Sequence, residues 1–213
     1  MFVVLDGIDG CGKSTVTRGV VARLQAQKYP VVSTAEPYQT TVRTRIADGV
    51  DPAVALSLFL VDRDRHVTEI IQPNQDRIVV SDRYALSTAA YQGYLLRYYL
   101  DHAVMAIHQL NQSLFPTPDR TYLIDVPVDV ALARVRRRHT TDPYERRDLL
   151  TQVRTNFLDL AATDPSIRVL DGTRPPADLI DQIVTEIIDA WNGDGTGSSN
   201  PSSVPGKSVP GRE

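Results

Sequence analysis

The chain has 213 residues, of which 42% are hydrophobic and 23% charged, and its net charge is −3. This length suffices for one α/β domain with a sizeable core, and the small negative charge argues against broad binding to nucleic acid or anionic membranes. Its one cysteine, Cys11, excludes an intrachain disulfide. Because the sequence has no apolar run near ~20 residues and no signal-peptide pattern, we expect a cytoplasmic protein without membrane spans.

Short apolar runs alternate along the chain with longer segments of helical spacing. Apolar residues recur every three or four positions within residues 16–24, 150–160 and 180–191, which predicts amphipathic helices. Strands are predicted at residues 2–6, 31–35, 77–81, 121–124 and 167–170. The alternation predicts a three-layer α/β/α domain with a five-stranded parallel sheet over residues 1–192, whose ligands bind at the carboxyl ends of the strands. The Gly-, Ser- and Pro-rich stretch 193–213 is expected to be a disordered tail.

The first predicted strand runs directly into a glycine-rich segment, residues 7–15, which opens the first helix. It matches G-x-x-x-x-G-K-[ST], a loop whose backbone N–H groups and helix N-terminus hold nucleotide phosphates. Lys13 would supply positive charge to the β and γ phosphates, and the Ser14 hydroxyl would be a ligand for Mg²⁺. We therefore predict an ATP site with bound Mg²⁺, lined by Gly7, Asp9, Gly10, Cys11, Gly12, Lys13, Ser14 and Thr15.

A second motif follows the predicted strand at residues 77–81. Asp82 would lie at the carboxyl edge of the sheet, near the phosphate loop, where a carboxylate can hold Mg²⁺ through water or orient an acceptor. Arg83 can bind a phosphate through two parallel hydrogen bonds. The alternative is a surface ion pair that closes the strand. Ser87 and Tyr91 then fall one helical turn apart, so both side chains share a face.

These two motifs together resemble the thymidylate kinase family. The resemblance rests on G-x-D-G-x-G-K-S-T at the N-terminus and D-R-Y-x-x-S-x-x-A-Y-Q-G from Asp82 onward. The similarity as a whole spans residues 1–191. The resemblance implies Mg²⁺-dependent transfer of the γ phosphate of ATP to dTMP by a homodimer with no nucleic-acid or membrane partner. Two alternatives stay open: a related kinase that accepts dUMP, dCMP or thymidine, and a catalytically weak nucleotide-binding paralogue.

The resemblance also implies roles for residues of the acceptor pocket. Phe59 would stack on the thymine ring and Arg63 would donate to its carbonyl edge, although core packing and a surface charge are the plainer interpretations. Asp9 would lie near the sugar 3′-hydroxyl and the metal, or would cap its own loop. Tyr91 would disfavour a ribose 2′-hydroxyl, or would be a half-buried core tyrosine. The pocket is expected to include Asp9, Glu36, Tyr38, Phe59, Arg63, Arg83, Ser87, Thr88 and Tyr91, and the metal ligands Asp9, Ser14 and Asp82.

One loop departs from the family pattern. Many relatives carry R-E-P-G-G-T where this chain has A-E-P-Y-Q-T-T at residues 35–41, so the arginine and both glycines are replaced. In the family this loop lies over the phosphate of dTMP. Either Tyr38 and Gln39 contact the nucleotide, or Arg43 takes over phosphate binding.

A basic run, residues 134–138, ends the helix after the fourth predicted strand and precedes a predicted lid at about 136–147. Because Gly10 stands where some family members carry an arginine, the resemblance implies that lid arginines supply charge to the transferring phosphoryl group. We favour Arg138, then Arg134, then Arg136, as catalytic residues; the alternative is that these cations neutralise the helix C-terminus. Gly172 resembles part of the loop that cups adenine, or is a simple turn.

Overall fold

The structure is a computed structural model, and it describes residues 1–136 and 147–193. Its centre is a sheet of five parallel strands in the order β2-β3-β1-β4-β5. The strands are β1 (Phe2–Asp6), β2 (Val31–Ala35), β3 (Ile78–Asp82), β4 (Arg120–Asp125) and β5 (Ile167–Asp171). The predicted five-stranded parallel sheet is confirmed, and each strand end lies within one residue of its predicted position.

Helices cover both faces of this sheet, as the predicted three-layer fold requires. They are α1 (Lys13–Ala26), α2 (Thr40–Ala47), α3 (Pro52–His66), α4 (Ala85–Leu95), α5 (Ala103–Leu114), α6 (Val128–Arg136), α7 (Arg147–Thr163) and α8 (Pro176–Gly193). In one layer α1 packs against α8, and in the other α4 packs against α5 and α7. The central strand β1 is buried along its whole length, which is why its sequence is a continuous apolar run. No helix among the described residues is both long and apolar enough to cross a membrane.

The topology brings acidic side chains to the carboxyl edge of the sheet. Strands β1, β3, β4 and β5 end in Asp6, Asp82, Asp125 and Asp171, respectively. Strand β1 lies between β3 and β4, and the chain passes from β1 to β2 in one half of the sheet but from β3 to β4 in the other half. A crevice opens at the edge of an open α/β sheet where neighbouring strands are followed by connections in opposite directions, and ligands bind there. The phosphate-loop motif follows β1 and therefore lies at this crevice.

Candidate active site

A cavity of about 590 Å³ lies at this carboxyl edge, beyond the ends of β1, β2 and β3. It brings together most of the site residues predicted from the sequence. Its walls include Asp9, Gly10, Gly12, Lys13, Ser14, Glu36, Phe59, Asp82, Arg83, Ser87, Thr88 and Tyr91. Arg18, Arg43 and Gln92 also line it. The volume is in the range of a small-molecule site, and both cations and carboxylates face the interior.

Backbone geometry explains the glycines of the phosphate loop. Gly7 and Gly10 have φ angles of +144° and +83°, a region that side chains with a Cβ rarely occupy. A Cβ on Gly10 would also overlap the carbonyl oxygen of Ala131 in α6. An arginine therefore cannot replace Gly10 in this conformation, so any arginine that reaches a bound phosphate must come from another part of the chain.

Two cations from different elements meet at the Asp9 carboxylate. Lys13 Nζ lies 3.4 Å from Asp9 Oδ1, and Arg83 Nη2 makes a short ion pair with the same oxygen. The Tyr91 hydroxyl donates to Asp9 Oδ2 at 2.9 Å and accepts from the Asp9 backbone N–H at 3.1 Å. Burial alone would raise the pKa of the Asp9 carboxyl, but Arg83 and Lys13 outweigh it and lower this pKa to about 2. The carboxylate is charged at neutral pH and holds both cations at one cavity.

Arg83 adopts a backbone conformation that is uncommon for a residue with a side chain. Its φ is +75°, just after the end of β3. Three contacts hold it there: its N–H donates to the carbonyl of Leu5 at 3.0 Å, its carbonyl accepts from Ser81 Oγ at 2.7 Å, and its Nη1 donates to Ser87 Oγ at 2.8 Å. Such strain persists where surrounding contacts impose it, and it commonly marks functional sites. Here it turns the guanidinium toward the phosphate loop.

Asp6 is a site residue that the sequence interpretation missed. Its fully buried carboxylate accepts from the Gly7 N–H at 2.9 Å, from the Ser87 N–H at 3.0 Å and from Ser87 Oγ at 2.5 Å. Burial raises the pKa of the Asp6 carboxyl, against the opposing effect of Arg83. Asp6 thereby joins the phosphate loop to the start of α4. An acidic residue that ends a buried strand immediately before such a loop was the available signal.

Gln92 on α4 is a second residue that the sequence interpretation did not assign to the site. It is completely buried, it lines the cavity, and neither its amide oxygen nor its amide nitrogen has a hydrogen-bond partner among the described residues. A buried amide without partners is costly, so its position in a cavity wall points to a ligand that supplies a donor and an acceptor. Thr88 lies one turn earlier on the same face of α4, and Phe59 of α3 also lines the cavity.

Arg63 lies behind the cavity wall rather than on it. Its guanidinium is 0% exposed, and it donates through Nε and Nη2 to Glu36, at 3.1 Å and 2.5 Å to Oε2. Nη2 also donates to Thr88 Oγ1 at 2.8 Å, and Nη1 donates to Asn111 Oδ1. Because Glu36 and Thr88 line the cavity, Arg63 reaches it through these two residues. A direct contact between Arg63 and a base remains a prediction from the resemblance.

The divergent loop after β2 is held by α3. The buried carboxylate of Asp62 accepts from the backbone N–H groups of Tyr38 and Gln39, at 2.5 Å and 2.9 Å. The ring of Tyr38 stacks on His66, with centroids 5.1 Å apart, and its hydroxyl donates to Glu69. Tyr38 therefore points toward α3 and is not among the residues that line the cavity, whereas Arg43, the other predicted possibility, is.

The end of the site next to the phosphate loop is bordered by α6 and the turn after β5. Arg134 donates through Nη1 to the Cys11 carbonyl at 2.8 Å and through Nη2 to the Gly172 carbonyl at 3.2 Å. It thus connects the phosphate loop to the turn that was predicted to cup adenine. Burial raises the pKa of the Cys11 thiol, which fits a packing role. Arg138 and most of the predicted lid lie outside the described residues.

Known proteins with this sequence pattern are similar over nearly the whole chain. The family model for thymidylate kinase matches residues 5–183. A probable thymidylate kinase of Methanosarcina mazei is 31% identical over 195 residues, which covers 88% of this chain and 95% of that protein. The thymidylate kinase of Coprothermobacter proteolyticus is 36% identical over 197 residues, with 88% and 98% covered. That of Chlamydia caviae is 32% identical over 198 residues, with 87% and 96% covered.

Proposed function

We propose that this chain, which belongs to the thymidylate kinase family, transfers the terminal phosphoryl group of ATP to dTMP, giving ADP and dTDP. One observation carries the proposal. Lys13 of the phosphate loop and Arg83 of the second motif contact the same Asp9 oxygen across one cavity. A phosphoryl donor held by Lys13 and a phosphorylated acceptor held by Arg83 would therefore meet within the span of one migrating group.

The donor side follows from the phosphate loop. Backbone N–H groups at the start of α1 and the ammonium of Lys13 provide the positive potential that a triphosphate requires. The turn at Gly172, connected to the loop through Arg134, borders the side where the base of ATP would bind. Arg134 acts in this proposal by holding these two backbone segments together. Whether Arg138 approaches the phosphates stays a prediction from the family resemblance.

The oxygen atoms near Lys13 suit a Mg²⁺ ion. Ser14 and Asp82 line the cavity, and Asp82 Oδ1 is buried without a hydrogen-bond partner among the described residues. Hard cations prefer hydroxyl and carboxylate oxygens, and Mg²⁺ takes few of its ligands from the protein when phosphates and water supply the rest. Within residues 1–136 and 147–193 there is no cluster of three or more acidic, His or Cys side chains that would hold a metal alone. Bound Mg²⁺ would neutralise phosphate charge; Ser14, Asp82 and Asp9 are its proposed ligands.

The acceptor side is proposed from the unpartnered polar atoms of α4. Gln92 offers a free amide oxygen and a free amide nitrogen, and thymine presents an N–H donor between two carbonyl acceptors. The ring of Phe59 supplies an apolar face for the base. Two hydrogen bonds with Asp9 fix the position of Tyr91. This part of the pocket wall therefore cannot easily move to accommodate the additional 2′-hydroxyl of a ribose. These features support a deoxynucleotide with a diketo pyrimidine base.

The chemistry requires placement and charge neutralisation more than covalent help. A phosphate oxygen of dTMP attacks the γ phosphorus of ATP in line, the bond to the bridging oxygen breaks, and ADP leaves. Arg83 binds the acceptor phosphate and Lys13 binds the donor phosphates, so both stabilise the negative charge in the transition state. Exclusion of water from the closed site prevents hydrolysis of ATP.

A coupled assay of ADP release tests the proposal. We expect ADP release from Mg²⁺-ATP to depend on dTMP, to be weaker with dUMP and dCMP, and to be lost in Lys13→Ala. Thymidine without a phosphate should not replace dTMP, because Arg83 would then have no anion to bind. ADP release that is independent of every monophosphate would contradict the proposal and would favour a nucleotide-binding protein without this transferase activity.

Homodimer formation, which the resemblance implies, is part of the proposal. Val61 on α3 and Leu114 on α5 are 69% and 57% exposed, a high exposure for apolar side chains. Light scattering at micromolar concentration measures the mass directly. A mass of one chain would contradict this part and leave the proposed reaction untouched.

A further inference from the structure

A buried polar cluster backs the wall of the acceptor pocket. Arg63, Asn111 and Thr88 are 0%, 1% and 4% exposed, and Glu36 is buried beside them. Burying an ion pair such as Arg63–Glu36 contributes little to stability, because removing both charges from water costs about as much as their attraction returns. Such a cluster next to a cavity therefore suggests a role in orienting the side chains that line it.

Asn111 has a fixed orientation within this cluster. Its Nδ2 donates to the carbonyl of Ile107, one turn earlier on α5, at 2.7 Å. A carbonyl can only accept, so the amide cannot flip without losing this bond. The Oδ1 atom is consequently directed at Arg63 Nη1, from which it accepts. Among the described residues, Asn111 does not line the cavity, and its Oδ1 is connected to the cavity wall through its hydrogen bond with Arg63.

The hydrogen bond from Arg63 in turn determines which further hydrogen bonds the Thr88 hydroxyl can form. Thr88 Oγ1 accepts from Arg63 Nη2 at 2.8 Å, and no described residue accepts the hydrogen of that hydroxyl. The hydroxyl therefore remains available as a donor at the cavity wall, one turn from the unpartnered amide of Gln92. A donor at this position favours a base with a carbonyl acceptor. Cytosine carries an amino donor where thymine carries its O4 acceptor.

We propose that Asn111 is a positioning residue for the acceptor base, acting through Arg63 to keep the Thr88 hydroxyl a donor toward the cavity. This inference rests on the proposed function. Removal of the Asn111 oxygen leaves an Arg63 N–H without a partner, so the guanidinium shifts. The Thr88 hydroxyl is then no longer held as a hydrogen-bond donor toward the cavity. Binding of dTMP weakens, discrimination against dCMP falls, and binding of ATP does not change.

A double-mutant cycle tests this chain of contacts. Asn111→Leu removes the acceptor at similar volume, and Thr88→Val removes the hydroxyl at similar shape. Calorimetry gives the dissociation constants for dTMP and ATP, and steady-state kinetics give the ratio of kcat/KM for dTMP to that for dCMP. We expect each single change to weaken dTMP binding by up to about tenfold, since the net contribution of one hydrogen bond between neutral groups reaches roughly that much. The double variant should be no weaker than either single variant, because both act on one hydroxyl.

A matched control separates loss of the hydrogen bond from general disturbance of α5, and a substitute variant is available for Asn111→Leu. Ile107→Val perturbs the same turn of α5 without removing a bond to Arg63, and it should leave dTMP binding and base selectivity unchanged. If Asn111→Leu does not fold, Asn111→Ala takes its place, since it also removes Oδ1. Multiplicative effects in the double variant, or equal weakening of dTMP and ATP, would overturn the inference. Absence of dTMP turnover in the wild-type protein would instead overturn the proposed function.

Discussion

The Asp9 carboxylate accepts from three side chains that come from three different parts of the chain. Lys13 belongs to the phosphate loop, Arg83 follows β3, and Tyr91 lies on α4. Without substrates, this carboxylate keeps two cations close together that would otherwise repel each other. Phosphate groups that enter the cavity offer both cations a second anionic partner. At the residue scale, Asp9 therefore fixes the positions of the two cations that are proposed to bind the donor and acceptor phosphates.

The first prediction at this scale concerns Arg83. Arg83→Ala should lower kcat/KM for dTMP by about three orders of magnitude, because the acceptor phosphate loses its cation and its orientation. The dissociation constant for ATP should stay nearly unchanged, since Lys13 and the loop remain. Arg168→Ala is the control: this arginine is exposed on β5 and pairs with Glu186. Turnover of dTMP equal to that of the wild type in Arg83→Ala would refute the role.

The second prediction uses the low pKa of Asp9. Its folded-state pKa of about 2 lies below the ordinary value of 3.8, so the charged carboxylate stabilises the folded protein above pH 4. As the pH falls from about 4 to 2, about 2 kcal/mol of unfolding free energy should be lost. Asp9→Asn cannot ionise and should lack this component in urea unfolding measured at stepped pH. Asp48→Asn, at the exposed end of α2, should follow the wild type. Parallel curves for wild type and Asp9→Asn would contradict the assignment.

At the scale of elements, strands were predictable and one loop was not. Buried parallel strands are short continuous apolar runs, and four of the five end in an aspartate, so the predicted strand ends lie within one residue of the observed ones. The loop after β2 gave no comparable signal. Its position depends on Asp62 and His66 of α3, more than twenty residues further along the chain. Tyr38 therefore points at α3, although the local sequence suggested a nucleotide contact.

The third prediction tests how firmly α3 holds this loop. Asp62→Asn keeps the size of the side chain but replaces one acceptor oxygen, so the N–H group of Tyr38 or Gln39 loses its partner. We expect a loss of about 2 kcal/mol in unfolding free energy, the cost of an unpaired buried donor. The KM for dTMP should rise more than the KM for ATP, because the loop continues into the cavity wall at Glu36. Asp64→Asn, exposed on the same helix, is the control. Equal stability of the two variants would contradict the anchoring role.

At the scale of the whole molecule, the sequence predicted those parts of the site that lie within one short segment. The phosphate loop and the Asp82–Arg83 pair are local motifs, and the order of parallel strands brings them together. Gln92, by contrast, becomes informative once its surroundings are known, since its burial without partners is a three-dimensional property. Asn111 belongs to α5, whose apolar spacing indicates a core helix. Its bond to Arg63 spans 48 residues of sequence.

The C-terminal region consists of helix α8, which packs on the domain, and the stretch 194–213 that follows it, and two truncations test how much each contributes to stability. Residues 194–213 contain only two large apolar side chains, Val204 and Val209, too few for a packed segment. Ending the chain after Gly193 should therefore leave the melting temperature within about 2 °C and kcat unchanged. Ending it after Glu186 also removes Ile187 and Trp191, which are 0% and 5% exposed. Losing two such core side chains costs about 5–10 kcal/mol, comparable with the whole stability of a typical domain. Calorimetry should therefore find a cooperative transition in the first truncation and none in the second. A marked drop in melting temperature after the first truncation would mean that residues 194–213 pack on the domain.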